Sequence, residues 1–250
     1  MSVPRTTVSC MTDISFWTLP PDRMVQGGGG RYNITVVQPP FTVRAEDLPP
    51  NDPAAARAFA ETFPTVDAVV EELDPVSAFE IPYLATRADL DVIQVGCWGN
   101  VMAISDPAMV DNGNDTPLLY EVTKLQERFP GARIVGRVEV DCGESHTEDI
   151  IHLPGGPMFH ASGWPTMDPW ELTGDPHAVA AALGISADVL EAHDIDFDAD
   201  PGEVEWADFA TLALGEADPW PMGSLKTSVF RVRHTESYTR TMEELYFIGG

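Results

Sequence analysis

Apolar and polar residues alternate from Arg31 to Val37, with Tyr32, Ile34 and Val36 on one side, and a period of two marks a half-buried strand. The period returns in ARIVGRVEVD, where Ile134, Gly136, Val138 and Val140 alternate with Arg133, Arg137, Glu139 and Asp141. LDVIQVGCWGNVMAIS reads as two strands joined by Gly99-Asn100, a glycine-first two-residue turn suited to type II′. Cys97 stands near its tip, in apolar company that suits a small buried hydrophobe.

Helical spacing appears elsewhere. In NDPAAARAFAETF, Asp52 is placed to cap a helix, Pro53 takes its first position, and Arg57 and Glu61 are four apart. Leu118, Val122, Leu125 and Phe129 line one face of a longer helix that starts from the cap Asp115 and is stopped by Pro130-Gly131. A short helix is predicted over Val66 to Leu73. The chain turns helical again after Trp170 and closes, from Ser228, with one more predicted hairpin. Gly27 to Gly30 precede a strand instead of following one and opening a helix, so they read as a flexible lead-in rather than a phosphate cradle.

Hairpins interrupted by clustered helices predict an α+β fold: a mainly antiparallel sheet with several helices packed on it. A single domain is expected over residues 11–250, with a subdivision near 130 as the alternative. Residues 1–10 are expected to be a disordered extension ahead of an alternative start at Met11.

Composition narrows the function classes. The 250 residues are 44% hydrophobic, enough for a sizeable core. Forty acidic residues against fourteen basic ones give a net charge of -26, which opposes binding to nucleic acid or to an anionic membrane. Only Lys124 and Lys226 are lysines, so the cationic chemistry is almost all arginine. Cys10, Cys97 and Cys142 are too few for a disulfide framework, and neither a signal peptide nor a spanning segment is visible. A cytoplasmic location is therefore expected.

Three motifs carry candidate chemistry. In HLPGGPMFHASGW, a hairpin closed by Pro154 to Pro157 would pair His152 with Phe159 and Ile151 with His160, so that His152 and His160 face opposite ways; an odd-numbered loop would bring them onto one face. His146 and Glu148 share the strand face of His152. Around DCGESHTE, Cys142 could be activated by His146, as in cysteine nucleophiles. The candidate catalytic set is Cys142, His146, Glu148, His152 and His160, with Asp141 beside it.

In DIDFDADPGEVE, Asp194, Asp196, Asp198 and Glu205 fall at positions 1, 3, 5 and 12 of a calcium loop, but Ala199 stands where glycine makes the sharp turn and Pro201 suits position 8 poorly. Just before it, Ala180, Gly184, Ile185, Ser186 and Val189 have helix-turn-helix spacing. The second helix lacks Arg and Lys, so it reads as a structural pair. Trp164, Trp170 and Trp220 each lie beside proline and are candidate interface residues.

The leading expectation is a non-enzymatic protein that binds a macromolecule, with a basic protein as partner, in the manner of an inhibitor or immunity protein. The alternative is a metal-dependent or cysteine-based hydrolase on the loop and strand 141–160, with calcium or zinc as the metals to test. A third reading is small-molecule binding between the sheet and the Trp-rich segment.

Overall fold

In the computed structural model, which describes residues 15–26, 30–110, 117–140, 146–164 and 167–248, the alternating stretch after the glycines forms β1 (Gly30–Val37). The proposed extension at 1–10, the glycines at 27–29, the cap Asp115, and Asp141 and Cys142 lie outside the described residues. Tyr32, Ile34 and Val36 enter one core, while Val37 enters a second core on the other side of the sheet.

Around β1 the chain builds one nine-stranded sheet in which every neighbouring pair is antiparallel. Its other strands are β2 (Val66–Ser77), β3 (Val92–Trp98), β4 (Val101–Ser105), β5 (Arg133–Val140), β6 (Thr147–His152), β7 (Met158–Trp164), β8 (Met167–Gly174) and β9 (Lys226–His234). The order is β2-β9-β3-β4-β1-β5-β6-β7-β8. The expected α+β architecture is thus observed.

Helices cover both faces. On one lie α1 (Pro53–Glu61), α2 (Pro117–Arg128) and α6 (Glu236–Glu243); on the other lie α3 (Pro176–Leu183) and α5 (Trp206–Leu214), followed at the rim by α4 (Ala187–Ala192), none of whose residues is buried. Asp52 caps α1 by accepting from the backbone N–H groups of Ala54 and Ala55, as its sequence predicts. Gly136 lets α2 lie directly on β5, because a Cβ there would stand 2.7 Å from Leu118 and 2.9 Å from Ile150. Among the described residues no helix is long and apolar enough to cross a membrane.

Three expectations are corrected. Val66 to Leu73 is strand, not helix: its β-branched valines suit an extended chain, and β9 supplies the ladder partner that a local reading cannot see. The last predicted hairpin is instead β9 followed by a helix. Glu236 sits in the first turn of α6 and pairs with Arg240 one turn on, while β9 slots between β2 and β3, far away in sequence. Finally, the helix predicted after Trp170 begins only at Pro176, because β8 runs on to Gly174; Pro169 is tolerated in it, since at the sheet edge a missing N–H costs no ladder bond.

Candidate functional site

The histidine hairpin differs from its predicted form. His152 pairs with Met158, Ile151 with Phe159 and Ile150 with His160, leaving a five-residue loop from Leu153 to Pro157. Gly155 adopts φ +58 in that loop, and Leu153 folds inward to 5% exposure, so the turn consumes one residue more than a symmetric closure. The odd count places Glu148, Ile150 and His152 on the same face as His160 and Ser162. There His160 Nε2 lies 2.9 Å from Glu148 Oε1, and His146 Nε2 lies 3.1 Å from Ser162 Oγ. All four of these residues are at most 5% exposed. Burial, helped by nearby His160, pushes the His146 imidazole down to about 4, so it is neutral at pH 7. Burial likewise lowers His152. Cys142, the proposed nucleophile, lies outside the described residues.

The calcium-loop residues do not gather around a common point. Ile195 is buried and Phe197 stacks on Trp206, which turns the intervening acids outward. Asp196 accepts from the backbone N–H of Asp198, Asp198 lies 3.9 Å from His177, and Glu205 precedes α5 without capping it. Among the described residues no group of three His, Cys, Asp or Glu side chains is placed to hold a metal, so the calcium loop and a zinc site on 146–160 both lack their ligand geometry there.

A second buried polar network joins distant parts of the chain. Asp106, at the end of β4, accepts from His234 at 3.0 Å, from the Thr65 hydroxyl and from the backbone N–H of Ala108. Asp91 stands 3.8 Å from the other nitrogen of His234 and accepts from Trp17 at 2.7 Å, while Arg87 pairs with it at 3.1 Å. Burial alone would neutralise both Asp106 and His234. Their mutual attraction wins, holding the Asp106 carboxyl below its usual range and raising His234 to about 9. Asp106 thus receives three donors, whereas His234 Nδ1 and Arg87 Nε make no hydrogen bond among the described residues, and none of these side chains lines the two cavities described below.

On the opposite face the covering elements leave a gap. A cavity of about 490 Å³ lies over β1, β4 and β5 and is closed above by residues 78–82, α5 and the turn 218–221. Its floor carries Arg31, Asn33, Thr35, Ser105 and Arg137, successive odd-parity positions of three adjacent strands. Its walls are mostly apolar: Ala78, Val135, Leu214 and Trp220, with Phe79 and Ile81 at the lip, 64% and 52% exposed. Trp220 is fixed by donating its indole N–H to Thr35 at 2.9 Å.

Arg137 donates to Thr211 at 3.0 Å and lies 3.3 Å from Asp149, whose carboxyl burial pushes up to about 7 despite that neighbour. It also borders a second cavity of about 370 Å³, where Trp170 presents an indole N–H that is buried and without a partner among the described residues. Of the candidate interface tryptophans, therefore, Trp170 and Trp220 line cavities. Trp164 is 43% exposed and packs edge-on against His146. Sequence reasoning flagged the tryptophans but missed Arg31, Arg137 and the apolar lip. The signal available was the presence of two arginines on the polar sides of strands.

Comparison with curated proteins and with solved structures returned no match. A family model does match, over residues 16–249, which takes in all nine strands, the hairpin and both cavities. The chain belongs to DUF6333, a family of unknown function.

Proposed function

We propose that this protein binds a small, largely apolar molecule in the cavity between the sheet and the Trp220 turn. The observation that carries the reading is the cavity itself: about 490 Å³, within the usual range for ligand pockets, with apolar walls and a few convergent polar groups on a rigid strand floor. Phe79 and Ile81 support it, since large apolar side chains held in solvent at a cavity mouth are stabilised when a ligand covers them. Trp170 and Trp220 face cavities, which favours a small ligand over the flat contact expected of a macromolecular partner.

The test is titration with a neutral apolar fluorophore, N-phenyl-1-naphthylamine. Saturable one-site binding is expected, with energy transfer from tryptophan that weakens in Trp220→Phe, and with affinity reduced at least tenfold in the double variant Phe79→Ser, Ile81→Ser. Non-saturable uptake, or uptake indifferent to all three changes, would reject the reading.

A second reading, hydrolysis by the 146–162 hairpin, is favoured by the odd loop that aligns His146 with Ser162 and His160 with Glu148. Against it stand the burial of all four groups and an imidazole made weakly basic. Hydrolysis of p-nitrophenyl acetate that Ser162→Ala abolishes would establish it; a rate unchanged by that substitution would remove it.

A further inference from the structure

Resting on the cavity reading, we infer that the ligand is an amphipathic carboxylate whose head group is held by Arg31 and Arg137 and whose apolar body lies between Val135, Trp220 and the Phe79–Ile81 lip. Arg31 pairs across the ladder with Glu139, and Asn33 with Arg137, which makes the two arginines diagonal neighbours on one face of β1 and β5. Backbone positions so related are about 7–8 Å apart, within reach of one anion for two side chains this long. Both guanidiniums act on the same carboxyl, Asp218, at the cavity rim.

Neither guanidinium is used up. Among the described residues, Arg31 has a single ionic partner, Glu139 at 4.0 Å, the longest arginine ion pair there, whereas Arg57, Arg233 and Arg240 hold their carboxylates at 2.5–3.0 Å. Arg137 commits one N–H to Thr211 and its Nε to Asp149, which leaves Nη2 unengaged among the described residues. Asp218 does not close an ion pair with either; it accepts instead from the backbone N–H of Trp220 at 3.1 Å, and burial pushes its carboxyl above the usual range. Spare N–H donors in a fixed planar fork, beside apolar walls, match a planar carboxylate on a hydrocarbon body. With Glu80 and Asp218 also lining it, the cavity sets two cations against two carboxylates, a local balance that the chain as a whole, at net charge -26, does not have.

Octanoate, 1-octanol and octylammonium, equal in chain length and differing in head group, provide the experiment, each titrated calorimetrically into the full chain. Octanoate is expected to bind at least tenfold more tightly than octanol, and octylammonium more weakly than both. In Arg31→Gln and in Arg137→Lys the octanoate advantage is expected to shrink several-fold while octanol affinity holds. Arg31 is nearly half exposed, so its variant keeps the experiment decisive if the Arg137 variant fails to fold. Equal binding of octanoate and octanol, a preference for the ammonium, or an octanoate advantage that survives in Arg31→Gln would overturn the carboxylate inference and leave the cavity reading standing. Failure of all three probes to bind would overturn both.

Discussion

Two polar clusters on opposite faces of one sheet, one buried and one half-exposed, show different uses of charge. Around Asp106, three donors converge on one carboxylate, and His234 is itself flanked by a second acid, so each charged group has its counterpart. Around Arg31 and Arg137 the paired carboxylates stand farther off, Glu139 at 4.0 Å and Asp149 at 3.3 Å, and both arginines line a cavity. The first arrangement ties four strand ends and the segment around Trp17 together; the second sets two loosely paired arginines along a cavity floor. Close pairing of each charge with a counter-charge, rather than the presence of charge itself, separates the first cluster from the second.

The comparison breaks most visibly at Asp106. Asp106→Ala leaves a buried imidazolium without its partner, which costs about 3–5 kcal/mol, or roughly 6–20 °C in the melting midpoint for a chain of this size. A midpoint within 2 °C of the parent would show that the network is not structural.

pH sharpens the contrast next. His234 binds its proton more tightly in the folded chain, at about 9 against an ordinary 6.5, so its contribution is complete below pH 6.5 and is lost as pH rises through 9. Burial raises Glu121 to about 7 from 4.5 and Asp149 to about 7 from 3.8. Each of these binds a proton in the folded chain that the unfolded chain has released, so stability falls between about pH 4 and 7. These three act in the same direction, while His146, lowered to about 4 from 6.5, opposes them below pH 6.5. Urea unfolding is expected to show a loss on the order of a few kcal/mol between about pH 6.5 and pH 9.5; a stability that rises over that range would contradict the assignment.

Smaller effects test the scaffold and then the site. Gly136→Ala forces a methyl group against Leu118 and Ile150 and is expected to cost about 1–3 kcal/mol in denaturant unfolding. Arg31→Gln, at the open site, is expected to change stability by no more than about 0.5 kcal/mol in the same assay. A larger loss there would mean that Arg31 serves the fold and would erase the distinction between the two regions.

Much of the fold was legible because it is local. The alternation in β1 and β5, the Gly99-Asn100 hairpin, the Asp52 cap and the apolar stripe of α2 all depend on neighbours within a few residues. The errors fell where a distant partner decides. Val66 to Leu73 becomes strand because β9 lies beside it, and the Pro169 segment can be strand because it sits at an edge. Likewise Leu153 turns inward and shifts the register of the histidine hairpin by one residue, which reverses the face of His160 relative to His152.

The site divides in the same way. From its sequence alone the chain determined that Arg31 and Arg137 sit on the polar sides of two strands and that Trp170 and Trp220 are hydrophobic residues near proline. The tertiary structure decided that these strands are neighbours and that α5 and the 218–221 turn roof them over, converting faces that read as solvated into the floor of a cavity. The physical reason is that side-chain parity is written in a strand's own residues, whereas what a face meets depends on long-range pairing, which no local pattern encodes.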